Sequence, residues 1–145
     1  MRKVLHLLLY ALGMAYCESA VVAYLRELYY PSGFSIEALD KFPLRIYLTE
    51  VGREVATLVM ITTVSLLSFS RVKGRIGSFL FIFGLWDIFY YLLLYLLIHW
   101  PPSLKTLDVL FLIPIPWIAP VYIPVAIASG MVLVGFFLVI KSPAY

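Results

Sequence analysis

Four runs of apolar residues, each long enough to cross a bilayer, dominate this chain, and three of them contain carboxylates. A helix needs about 20 predominantly apolar residues to cross a hydrocarbon core ~30 Å thick. In lipid every backbone polar group must be satisfied internally, so such runs have few folds open to them besides the helix. The first three runs lie at about 4–29, 46–70 and 78–98. The last apolar stretch, 109–140, has 32 residues, too many for one straight crossing at ~1.5 Å per residue. Its beginning is therefore expected to be a separate interfacial or re-entrant piece, with the fourth helix at about 118–140.

Composition agrees. The chain is 63% hydrophobic and 13% charged, whereas soluble domains run near ~25% charged. The expected fold is all-α: an integral membrane four-helix bundle forming one domain over 1–145, with the lipid bilayer as its first partner. No polar segment is long enough for a soluble domain. The net charge of +3 comes from loops, so no nucleic-acid partner is expected.

The N-terminus imitates a signal peptide: Arg2 and Lys3 precede an apolar run and then small residues. Tyr16 stands before Cys17 where a lipobox needs a small residue, so cleavage is not expected. Cys17 is the only cysteine, which excludes an internal disulfide, and it reads as a small buried residue of the first helix. The chain has no Asn and no Gln. Thermolabile amides are depleted in hyperthermophile proteins, so a thermophilic source is expected.

Basic residues set the orientation. Arg2, Lys3, Arg71, Lys73, Arg75 and Lys141 fall on one side of a four-span arrangement. Lys and Arg beside spans favour the cytoplasmic side, so a multi-pass protein of the cell membrane with both termini cytoplasmic is expected. Arg26, Lys41, Arg45 and Lys105 lie on the other side. Glu27, Glu37, Asp40 and Asp108 lie at or beyond that outer interface, where Tyr29, Tyr30, Tyr47, Tyr95 and Trp100 would form an aromatic belt.

Glu18, Glu50, Glu54 and Asp87 fall inside the spans. A charge at the bilayer centre costs roughly 2.5–3.5 kcal/mol on insertion scales, so such residues face the bundle interior, pair, or mark a functional path. Helical rise puts Glu18 and Asp87 each ~17 Å below the outer end of its helix, and Glu50 and Glu54 ~6 and ~12 Å below theirs. Facing agrees with depth. Glu50, Arg53 and Glu54 share a face by their i, i+3, i+4 spacing, and Thr57 and Ile61 continue it. Glu18 shares its face with Val22 and Arg26. Asp87 is followed at i+3 and i+4 by Tyr90 and Tyr91, whose hydroxyls can bind a carboxylate.

Three readings follow. Four buried acids meet at most two arginines, Arg26 and Arg53, so two carboxylates must be protonated, hydrated or bound to a cation. The leading reading is a carboxylate-rich metal site. Helix bundles that contribute one acid from each of several helices make di-iron and di-manganese centres, and oxygen-rich ligation also suits Ca²⁺, Mg²⁺ or Mn²⁺. Glu18, Glu54 and Asp87 would form the core. Glu50, Asp108 and His99 would be outer ligands or gates, and Arg26, Arg53, Tyr90 and Tyr91 would tune charge. The Glu-x-x-His pair of di-iron bundles is absent. The first alternative is a structural or accessory subunit whose acids form an Arg-paired packing network. The second is a proton or cation half-channel, or an outward-open pocket for a small substrate. Haem is not expected, because His6 and His99 fall near opposite ends. No Gly-rich phosphate loop, cysteine cluster or Ser-His-Asp order appears. A homo-oligomer or a larger membrane complex is compatible with all three readings.

Pro114, Pro116, Pro120 and Pro124 crowd the start of the last apolar run. On a helix, Pro116, Pro120 and Pro124 would lie on one side and kink it repeatedly. The segment is expected to cover the outer mouth of the acid cluster or to form an interfacial hairpin anchored by Trp117. Further along, Ala126, Ser129, Gly130 and Gly135 offer small surfaces for close helix packing.

The strings E-V-G-R-E at 50–54, W-D-I-F-Y-Y at 86–91 and F-L-I-P-I-P-W at 111–117 resemble a group of uncharacterised four-span prokaryotic membrane proteins. The resemblance covers most of the chain. It implies a shared bundle and brings no activity with it.

Overall fold

The computed structural model describes residues 1–37 and 42–142; Asp40 and Lys41, assigned above to the outer loop, lie outside the described residues. Four helices, α1 (Arg2–Tyr29), α2 (Leu44–Ser68), α3 (Val72–Ile98) and α4 (Tyr122–Ile140), each have the length and apolarity to cross a membrane. Between α3 and α4 lies an antiparallel hairpin, β1 (Leu107–Phe111) and β2 (Trp117–Pro120).

The helices run up, down, up, down. Lys3 at the start of α1 donates to the Ser68 carbonyl at the end of α2, 2.7 Å away. At the opposite end, Phe34 after α1 packs edge-on against Trp100 after α3. Both described chain ends therefore share one end of the bundle with Arg71, Lys73 and Arg75. Helix α3 is central and packs against α1, α2 and α4.

The α3–α4 contact is close because it is built on glycines. A Cβ on Gly84 would come 2.6 Å from the Ala128 carbonyl oxygen, and one on Gly135 would come 2.5 Å from the Phe81 nitrogen. Small residues permit such backbone approach between packed helices. Of the other small residues expected to serve packing, Gly130 faces open space and Ser129 is exposed, bonding its own turn at the Val125 carbonyl. Cys17, expected to be buried, is exposed on α1.

The proline-rich segment is a hairpin, one of its two expected forms, built of two strands and not of the kinked helix that the i, i+4, i+8 spacing would make, and α4 begins at Tyr122, four residues later than expected. Pro114 and Pro116 lie between the strands, Pro120 ends β2, and Pro124 falls in the first turn of α4. None of these places requires a proline N–H in a central ladder or helix interior. The register pairs Leu107 with Pro120, Asp108 with Ala119 and Val109 with Ile118, and an irregularity before Phe111–Trp117 shifts it. The hairpin folds back along the bundle. The Phe111 ring stacks 6.0 Å from Phe83, which lies ~22 Å down α3 from Ile98.

Gly135→Val should pry α3 from α4. Overpacking of this kind costs about 1–3 kcal/mol, whereas Gly130→Ala should leave the thermal midpoint in detergent unchanged. Equal midpoints for the two variants would disprove the close-contact assignment.

Candidate functional site

The hairpin, α1, α2 and α3 enclose a polar interior built around Arg53. Its guanidinium pairs through Nη1 with Glu18 of α1 and through Nη2 with Glu50 one turn back on α2. Its Nε donates to both Glu50 oxygens at 3.1 Å. Thr57 donates to Glu18 at 3.3 Å. The spacing that puts Glu50, Arg53, Glu54 and Thr57 on one face of α2 thus meets the Glu18 face of α1. Both glutamates are buried.

A second pair closes the upper part. Arg26 Nη2 lies 3.4 Å from Asp108 Oδ1, and the Tyr91 hydroxyl donates to Oδ2 at 2.9 Å. The Arg26 guanidinium is stacked 3.7 Å over the Trp100 ring and 4.3 Å from Phe34. Planar delocalised cations favour this placement. Asp108 is 3% exposed. Burial drives its pKa above the ordinary aspartate range, against the opposing pull of Arg26 and the Tyr91 hydrogen bond. Burial likewise raises Tyr30 at the mouth, with Arg26 opposing.

Glu54 does something different. Its carboxylate accepts the Leu112 backbone N–H at 2.8 and 3.1 Å, just beyond β1. A two-stranded hairpin leaves edge donors unpaired, and between apolar helices an unpaired N–H is costly. Glu54 supplies the missing acceptor.

Asp87 has neither an ion pair nor a hydrogen-bond partner among the described residues. It lines a cavity of about 70 Å³ together with Glu18, Glu54, Asp108, Arg53 and Tyr91. A neighbouring cavity of about 110 Å³ shares Arg53, Glu54, Tyr90 and Asp108 and adds Glu50, Arg26 and the mouth tyrosines Tyr30 and Tyr47. Five carboxylates and two guanidiniums therefore border one adjoining pair of spaces.

Of the residues singled out from sequence, His99 stands apart. It is the left-handed C-cap of α3, exposed and edge-on to Tyr95, and it borders neither cavity. Tyr91 serves Asp108 instead of Asp87, and Tyr90 lines both cavities. Among the described residues no group of three or more His, Cys, Asp or Glu side chains has metal-holding geometry. Arg53 occupies the space between Glu18 and Glu50 that a bridging ion would need. Sequence reading missed the Leu112 N–H as a partner for Glu54 and Trp100 as the shelf under Arg26. Pro114 and Pro116, just after Leu112, were the one signal for the first, because each removes a backbone donor and disfavours the helical region for the residue before it.

No family model, curated protein or solved structure matches the chain.

Arg53→Met leaves two buried carboxylates without their cation and should destabilise the protein by about 3–5 kcal/mol. Arg45→Met, on the exposed start of α2, should be silent. Adding Glu18→Gln and Glu50→Gln to Arg53→Met should restore most of the loss, as read by thermal unfolding in detergent. A second expectation concerns pH. Because the folded state holds the Asp108 proton more tightly than the unfolded state, its contribution to stability is fully present below the ordinary Asp value. It is lost as pH rises through the elevated folded value. Asp108→Asn should flatten that part of a melting-temperature profile against pH; an unchanged slope would count against the assignment.

Proposed function

We propose that this chain is a multi-pass membrane protein whose acidic chamber takes up a proton or a small hard cation from the side bearing the α1–α2 and α3–hairpin connections. The observation carrying this reading is the excess of carboxylates around two adjoining cavities. Glu18, Glu50, Glu54, Asp87 and Asp108 border them against Arg26 and Arg53 alone. A buried carboxylate without a counter-charge must bind a proton, water or a cation. The four apolar helices support membrane insertion. The basic residues gathered at the end holding both termini support a cytoplasmic placement of that end, which makes the chamber mouth exterior.

The roles divide by partner. Glu18 and Glu50 share Arg53, which favours a structural role for both, in keeping with an Arg-paired packing network. Asp108 is held by Arg26 and Tyr91 under the hairpin. Glu54 and Asp87 remain as exchange groups, Glu54 coupled to the hairpin through the Leu112 N–H and Asp87 free. A resident divalent ion would require Glu54, Asp87 and Asp108 to draw together, since no three acids stand in metal-holding geometry among the described residues.

The test is exchange in proteoliposomes loaded with a pH-sensitive dye. Wild type should dissipate an imposed pH gradient above protein-free vesicles, and Asp87→Asn should reduce the rate at least about tenfold, a barrier change near 1.4 kcal/mol. Its thermal midpoint should stay at or above that of wild type, because no pairing is lost. Exchange in choline buffer identifies the proton as the carried charge, and exchange that appears only with added Na⁺ or Ca²⁺ identifies the cation. Stoichiometric metal in purified protein, lost in Glu54→Ala, would identify a resident ion. Wild-type vesicles indistinguishable from empty ones, without bound metal, would refute the proposal and leave the structural network.

A further inference from the structure

A second space lies on the other side of Asp87. It measures about 470 Å³ and runs between the hairpin, α3 and α4. Its walls are Phe83, Phe111, Trp117, Ile123, Ile127 and Met131, and Asp87 is the only ionisable residue bordering it among the described residues. Trp117, Ile118 and Ile127 on its rim are 52%, 48% and 59% exposed, so the space opens sideways from the bundle, along helix surfaces apolar enough to face lipid. It has the size and predominantly apolar lining of a small-molecule site, with one polar group to fix orientation.

The geometry points to a binding groove for a lipophilic organic cation, an amine or onium head on an apolar or aromatic body, entering laterally with its charge directed at Asp87. Charge complementarity selects this occupant. The one ionisable group of the groove is a carboxylate that no protein group satisfies among the described residues. An anion would meet repulsion there, and a neutral lipid chain would leave the carboxylate desolvated and unpaired. Phe83, Phe111 and Trp117 add ring faces, which attract cations and accept apolar bodies alike.

Asp87 borders both this groove and the acidic chamber. One carboxylate balances one positive charge, so a cation in the groove and a proton or small ion in the chamber compete for it. Only this competition rests on the chamber reading; the groove and its occupant stand without it.

The probe is tetraphenylphosphonium, measured by equilibrium dialysis against purified protein in detergent, with protein-free micelles subtracted. Tetraphenylborate, of the same shape and opposite charge, is the comparison. Wild type should bind the phosphonium saturably, one per chain, and the borate should not displace it. Asp87→Asn should weaken binding at least about tenfold, which corresponds to 1.4 kcal/mol. Ile127→Trp narrows the groove from α4 and borders neither chamber cavity. It should also abolish phosphonium binding while proteoliposome exchange persists, and it decides the matter if Asp87→Asn fails to fold. No saturable binding to wild type, equal affinity for both ions, or unchanged binding in Ile127→Trp overturns the groove. Exchange without phosphonium binding overturns the groove alone, and phosphonium binding without exchange overturns the chamber reading alone.

Discussion

A single guanidinium organises the interior of this protein. Arg53 draws Glu18 of α1 and Glu50 of α2 to itself, and the rest of the polar architecture forms around that bridge. Two carboxylates brought together without it would repel each other and remain poorly solvated. A buried pair is tolerable only when its remaining hydrogen-bonding sites are filled. Thr57 helps to fill them at Glu18, and the Arg53 Nε–H does so at Glu50. Helix α2, whose buried stripe is narrow (Glu50, Thr57, Ile61 and Ser65), contributes three polar groups to it. Its place beside α1 thus depends on polar pairing far more than the place of α4 beside α3, where glycines carry the contact.

The hairpin imposes the second constraint. Strands folded back between apolar helices expose edge donors that no neighbouring strand can satisfy. Non-helical backbone at such depth persists only when protein groups satisfy it. Glu54 answers at Leu112, while Asp108, carried in by β1, finds Tyr91 and Arg26. The same carboxylates therefore hold the hairpin and charge the cavity beneath it. Movement of the hairpin and a change of charge at Glu54 are physically linked, since a neutral carboxyl is a weaker acceptor than a carboxylate.

Much of this was legible in the chain because long apolar runs have few alternatives. The three long spans and the shared face of Glu50, Arg53 and Glu54 follow from run length and the 3.6-residue period. The pairing of Glu18 with Arg53 did not follow from the chain, because helical rise puts Arg53 nearer the outer end than Glu18. The hairpin was not legible in the same way. Residues 107–120 are apolar on both sides of the strand period, and the proline spacing there also fits a helical face, so periodicity could not choose between them. His99 was misleading because depth along a helix says nothing about the side it faces. Its position as the left-handed cap of α3 turns it outward. Cys17, one residue before Glu18, stands about 100° around α1 from it, which is enough to leave it exposed.

Asp87 differs from the other four acids in what surrounds it. Glu18, Glu50 and Asp108 have arginines, and Glu54 has a backbone donor. Asp87 has only the two spaces it separates. Its position is nevertheless rigid, since three residues earlier Gly84 locks α3 against Ala128 of α4 at backbone distance. That lock also sets the back wall of the apolar groove, of which Ala128 is a part. Asp87, with no hydrogen-bond or ion-pair partner among the described residues, is held between a polar chamber and an apolar lateral groove. The interior acids thus divide, among the described residues, into three held by arginines, one held by a backbone N–H, and Asp87, which no protein group holds.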